Sequence, residues 1–145
     1  MTVESSRGHQ PLASHPRAAR IDDLAHVTVN ADNGMTIATI DGEVDISNVD
    51  HIADKLTELS NPGRGLIVDL RTISFIDSAG IALLHDVALR LRQRLQQLII
   101  VCAPGSQSRR VLELAGLATH AAVLDDIETA LAALRSPDAA RPDLW

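Results

Sequence analysis

The stretch LIVDLRTISFIDSAGIALL, residues 66–84, passes from an unbroken apolar run to a polar turn and then to apolar positions at helical spacing. A short run such as Leu66 to Leu70, rich in branched side chains, has the pattern of a strand covered on both faces. ISF, residues 73–75, extends the chain toward Asp77-Ser78-Ala79-Gly80. Beyond that turn Ile81, Leu84, Ala88, Leu91 and Leu95 mark one face of a helix. A buried strand followed by an amphipathic helix is the building unit of an α/β sheet, and in such sheets sites gather where strands end and helices begin.

The same unit recurs on either side. LIIVCA, residues 98–103, repeats the buried-strand pattern, and PGSQSRRVLELAGL, residues 104–117, reads as a loop, a capped helix and a stop at Gly116. A short strand near Ala121 to Leu124 leads to Asp125-x-x-Glu128, a capping-box pattern, and to an alanine-rich helix over 127–135. Upstream, alternation around Val27, Val29 and Ile37 flanks the DNG of residues 32–34, the turn chemistry of a β-hairpin. Ser47 and Asp50 suggest a cap for a helix that buries Val49, Ile52, Ala53, Leu56 and Leu59, and NPGRG, residues 61–65, ends it.

The expected order is β-β-α-β-α-β-α-β-α. That is an α/β domain with a mixed, mostly parallel β-sheet, an N-terminal β-hairpin and four amphipathic helices. Residues 1–22 and 136–145 lack periodicity and are rich in Ser, Pro, Arg and Ala, so both are expected to be poorly ordered, leaving one domain at 23–135.

Composition narrows the function. The 145-residue chain is 46% hydrophobic with 1% aromatic residues, so a core of Leu, Ile, Val and Ala is expected. Thirteen basic against nineteen acidic residues give a net charge of −6, which argues against nucleic acid as a partner. No apolar run approaches the roughly 18 residues of a membrane span, and the first 20 residues carry no signal-peptide core, so no membrane insertion and a cytoplasmic location are expected. The single cysteine, Cys102, lies in an apolar run and reads as a buried thiol, with a redox role left open. Histidines at 9, 15, 26, 51, 85 and 120 show no ligand spacing, so no metal and no cofactor are expected.

Ser78 admits several readings. As an N-cap its hydroxyl would accept a helix N–H, which leaves Asp77 unexplained. As a hydrolase nucleophile it would need glycine where Ile76 stands, and no triad partners stand out. No phosphate-binding loop is present, since Gly80 is alone. SQSRRVLELAGLATHAAVL, residues 106–124, has a helix-turn-helix outline with too little positive charge for DNA. Glu43 and Asp45 read as solvated or capping groups rather than an acid–base pair. As a phosphoacceptor at a helix N-terminus, Ser78 would gain about two negative charges without unfolding the domain, and a partner surface fitted to a bare hydroxyl would be lost. No enzymatic activity is expected.

VDLRTISFIDSAGIALL, residues 68–84, resembles the signature of STAS-domain anti-sigma-factor antagonists. IDGEVD, residues 40–45, is similar to that family's Gly-Glu-hydrophobic-Asp turn, and RRVLELAGL, residues 109–117, to its third helix; together the matches span about residues 24–135. The resemblance implies a STAS-like fold and a regulator that binds an anti-sigma factor, a serine kinase using ATP, and so frees a sigma factor. Phosphorylation of Ser78 would release it and a phosphatase would reset it. Asp77, Ser78, Ala79 and Gly80, with Gly42, Glu43 and Asp45 on a neighbouring loop, would form the partner-binding surface. Ala79 stands where many members carry a second serine, and RQRLQQL, residues 92–98, lacks the glycine that usually ends the second helix. The alternative is a scaffold or sensor subunit of a larger signalling or transporter complex, with Ser78 serving only as a cap.

Overall fold

The computed structural model describes residues 17–20, 24–32, 34–60 and 65–135. Along the chain these form β1 (Arg17–Arg20), β2 (Ala25–Asp32), β3 (Met35–Val44), α1 (Val49–Leu59), β4 (Gly65–Asp69), β5 (Ile73–Ile76) and α2 (Ser78–Gln93). There follow β6 (Gln97–Val101), α3 (Gln107–Leu114), a 3-10 turn (Leu117–Thr119), β7 (Ala122–Leu124) and α4 (Ile127–Arg135). One sheet takes the strands in the order β1-β2-β3-β4-β6-β7, with β5 paired to β3 alone. The β1–β2 and β2–β3 pairs are antiparallel and the others parallel, so the sheet is mixed and mostly parallel in its centre.

The apolar runs explain the two-sided core. Successive side chains of a strand point to opposite faces. Leu66, Val68, Leu98 and Ile100 therefore pack with α1, α2 and α3, while Ile67, Ile99 and Val101 meet Ala130, Leu131 and Leu134 of α4 on the other face. Cys102 is buried in the first cluster, and burial pushes its thiol pKa up.

Four details differ from expectation. Arg17–Arg20 pair with His26–Val29 as an edge strand, within the segment expected to be unordered; backbone bonding to the open edge of β2 needs no apolar alternation. Residues 1–16 and 136–145 lie outside the described residues. The run through residues 66–76 is two strands, because the buried carboxylate of Asp69 turns back to the Arg71 side chain, with Nε and Nη2 each at 3.0 Å, and breaks the ladder. The α4 cap is Asp126, whose Oδ1 accepts the Thr129 N–H at 2.8 Å, whereas Asp125 accepts Arg109 Nη1 at 2.8 Å. Leu95, expected on the buried face of α2, lies beyond the helix end at φ +60° and is exposed.

That last residue supplies the missing helix stop. The Leu95 N–H donates to Arg92 O and the Gln96 N–H to Leu91 O, the bonding of a glycine-type helix end made here by leucine. At the other end of the chain's helical repertoire, Ser106 Oγ accepts the Arg109 N–H to cap α3, and Gly116 ends it at φ +72°, as expected. A single 3-10 turn and a strand follow, which removes the helix-turn-helix reading. Arg109 is itself engaged, donating from Nη1 to Cys102 O at 2.9 Å and to Asp125, and it ties α3 to the ends of β6 and β7.

Candidate functional site

The candidate site forms where β3 and β5 end side by side. Strand register pairs Glu43 with Phe75 and Val44 with Ile76, so the loop after β3 and the turn after β5 share one end of the sheet. The Asp77 N–H donates to Val44 O at 3.3 Å and links the two directly.

The cap of α2 is Asp77, not Ser78. Asp77 has extended backbone and its Oδ1 accepts the Gly80 N–H at 3.0 Å. Ser78 is the first residue inside the helix, exposed, and no described residue hydrogen-bonds its hydroxyl. The carboxylate prevails because the extended residue that directly precedes the helix is the one whose side chain reaches back to the third N–H. Ala79 is half-buried and lies on the groove between α1 and α2, beside Ala53, Ala82 and Asp50.

Gly80 is buried, and its lack of a side chain is used inside the helix rather than in the turn. A Cβ there would lie 2.5 Å from Ile76 Cγ1 and 3.0 Å from Val44 Cγ1. Its absence lets the first turn of α2 seat on the last residues of both strands. Gly42 serves the other loop. It has φ +96°, and a Cβ would come within 2.0 Å of Leu24 O; at this point the β3–β5 register shifts. The bulge delivers the Glu43 N–H to Leu24 O at 3.0 Å and leaves the Glu43 side chain exposed.

Asp45 is half-buried and serves as a loop acceptor, taking the Ser47 N–H at 2.9 Å and the Ser47 hydroxyl. Asn48 was not among the expected site residues. It is 1% exposed and precedes α1, yet its side chain does not cap that helix. Instead Oδ1 accepts the Asp45 N–H at 3.0 Å and Nδ2 donates to Glu43 O at 2.9 Å. The expected Ser47–Asp50 capping box is therefore absent, because Asn48 and Asp45 spend these groups on the loop. Among the described residues no ion pair engages Glu43, Asp45 or Asp77. No group of three or more potential metal ligands occurs among the described residues, and no helix there is long and apolar enough to cross a membrane.

The sequence of residues 26–130 matches the model of the STAS domain. The chain belongs to the STAS domain family. Relatives of this STAS domain include BtrV of Bordetella bronchiseptica, named a candidate anti-sigma factor antagonist, which is 30% identical over 111 residues covering 76% of this chain and 95% of that protein. RsfB of Mycobacterium tuberculosis, named an anti-sigma-F factor antagonist, is 29% identical over 115 residues, covering 78% of this chain and 92% of its own. A crystal structure of an anti-sigma factor antagonist from Mycobacterium paratuberculosis superposes with a TM-score of 0.66 at 22% identity, over 76% of this chain and 93% of that one, and shares the fold.

Within this STAS domain, all seven residues expected at the site fall at one end of the sheet, in two segments joined by the Asp77–Val44 bond. Their local jobs differ. Gly42, Asp45, Asp77 and Gly80 shape the surface, while Glu43 and Ser78 stand out from it. Two apolar neighbours, Ile46 and Phe75, were not anticipated and are 80% and 49% exposed. The signal in the sequence is faint: the chain's one phenylalanine sits next to Ile76, in a short strand in which only Ile76 is buried.

Proposed function

We propose that the chain is an anti-sigma-factor antagonist switched by phosphorylation of Ser78. In the unmodified state it binds an anti-sigma factor through the two loops at the end of β3 and β5 and thereby frees a sigma factor for transcription. The anti-sigma factor is a serine kinase that uses ATP, its product is phospho-Ser78, and a phosphatase restores the hydroxyl. The chain acts in the cytoplasm and catalyses nothing itself.

One observation carries this reading: Asp77 caps α2, which leaves the Ser78 hydroxyl exposed and without a structural task. A phosphoryl group there meets the positive end of a sixteen-residue helix, so the folded state tolerates it. A partner that has closed over a bare hydroxyl does not. The names of the relatives support the antagonist assignment. Asp77 supplies the cap considered for Ser78; a scaffold or sensor subunit without a phosphoswitch is the second reading, and equal binding by wild type and Ser78→Glu favours it.

The test combines binding and mass spectrometry. Wild type and Ser78→Ala are expected to bind the anti-sigma factor and Ser78→Glu to release it; incubation with the partner and ATP is expected to add one phosphate, at Ser78. Equal binding by wild type and Ser78→Glu, or a phosphate at another residue, overturns the proposal.

A further inference from the structure

The exposed large apolar side chains of the described residues are not spread evenly. Leu24, Ile46 and Phe75 gather at the Ser78 end, whereas Leu89 lies on α2, Leu95 just beyond its end and Leu114 on α3. The bonding pattern joins the first three: Glu43 N–H donates to Leu24 O, Glu43 is the register partner of Phe75, and Ile46 follows in the same loop. Ile46 is not on a slack loop. Asp45 and Asn48 hold the backbone on either side of it with three side-chain hydrogen bonds, and the Ser47 hydroxyl donates to Asp45 as well, so its 80% exposure is built in. Single exposed apolar residues are ordinary, but three on backbone segments paired around Glu43, with Phe75 also lining a small recess beside Gln107 and Val111 of α3, mark a surface made to be covered.

The charges nearby say by what. Glu43, Asp45 and Asp77 border the apolar set, and no cation among the described residues pairs with them. A facing surface that buried them without compensating charge would meet a heavy desolvation cost. Resting on the proposed function, we infer that Leu24, Ile46 and Phe75 are the apolar anchors of the contact with the anti-sigma factor, and that the occupant presents an apolar recess ringed by arginine or lysine. Contacts of this kind divide the work: the charged rim governs approach, and the buried apolar centre governs how long the complex lasts.

The experiment measures association and dissociation rates of the full chain against the purified anti-sigma factors of the parent organism, tested one by one. Ile46→Ser and Phe75→Ser are each expected to speed dissociation by about tenfold or more, while Leu114→Ser at the far end of α3 dissociates as wild type. Wild-type association is expected to slow as salt rises from about 0.05 to 0.3 M, and Glu43→Gln to flatten that dependence. Ile46→Ser tests the point without risk to the core, since its side chain stands in solvent in the free protein. Wild-type dissociation rates for both variants alongside release of Ser78→Glu overturn the anchors and leave the phosphoswitch standing. Salt-independent association overturns the cationic rim. Absence of binding to every anti-sigma factor overturns the inference and the proposed function together.

Discussion

The Asp77 carboxylate accepts the Gly80 N–H at 3.0 Å, and by doing so it relieves Ser78 of the duty of starting α2. The two residues therefore separate cleanly in stability measurements. Asp77→Ala is expected to lower unfolding free energy by about 1 kcal/mol, whereas Ser78→Ala stays within about 0.5 kcal/mol of wild type. Urea denaturation of both variants checks this; an equal loss for Ser78→Ala assigns the cap to the hydroxyl after all.

The Asn48 side chain ties the start of α1 to the loop ahead of it through the Asp45 N–H and Glu43 O. Truncation to alanine leaves the Asp45 N–H and Glu43 O without their partner, a loss of about 1–3 kcal/mol for buried groups. Amide hydrogen exchange gives the sharper readout: the Asp45 N–H is expected to exchange much faster in Asn48→Ala while amides of β4 and β6 keep their relative protection. Unchanged Asp45 protection contradicts the assigned role.

Gly80 sits against two strands that it cannot push aside. Gly80→Ala gains helix propensity of about 1 kcal/mol, yet its Cβ would stand 2.5 Å from Ile76 Cγ1, and overpacking of this kind costs about 1–3 kcal/mol. A net loss of stability is expected. In a double-mutant cycle Ile76→Ala should relieve part of it, so that the double variant is more stable than the two single losses predict.

Leu95 adopts a backbone conformation that side chains resist. At φ +60° it bears a penalty of about 1–2 kcal/mol that glycine avoids, offset in part by the greater freedom of glycine in the unfolded chain. Leu95→Gly is accordingly expected to raise the thermal midpoint, with a gain of about 0.5–1 kcal/mol. A lowered midpoint shows that the exposed leucine contributes contacts outweighing its strain.

Asp126 sets part of the acid response. The backbone N–H and hydroxyl of Thr129 favour its charged form, so its folded pKa lies below the unfolded value. A depressed carboxyl stabilises the fold above the unfolded pKa of about 4, and this contribution disappears as pH falls through the folded pKa. Asp126→Asn is expected to be less stable than wild type at neutral pH and to approach it near pH 2, as thermal melts across that range would reveal.

The strands and helices were legible in the sequence wherever burial dictated residue type. LIVDL and LIIVC are apolar at every or nearly every position because both faces of β4 and β6 are covered, and the helix over 127–135 has the predicted bounds. Caps were harder to read. At 47–48, 77–78 and 125–126 two competent polar residues stand side by side, and the choice depends on backbone geometry and on distant partners such as Glu43 O and Arg109. The break between β4 and β5 was hidden for the same reason, since it rests on the Asp69–Arg71 contact rather than on a glycine or proline. The residues proposed for the site are carried by their motif, while Asn48 and Ile46 lie in a segment whose spacing points to helix capping.

The stagger between β4 and β5 has a consequence for how such a domain diversifies. Because β5 pairs with β3 alone, the serine turn and the adjoining loop stand on a ledge beyond the sheet's shared centre, attached through Val44, Ile76 and Gly80. Leu24, Glu43, Ile46 and Phe75 on that ledge contribute nothing to either apolar cluster. Those four side chains are open to change while Gly42, Asn48, Asp77 and Gly80 hold the ledge in place, so a duplicated copy acquires a different correspondent without first having to relearn how to fold.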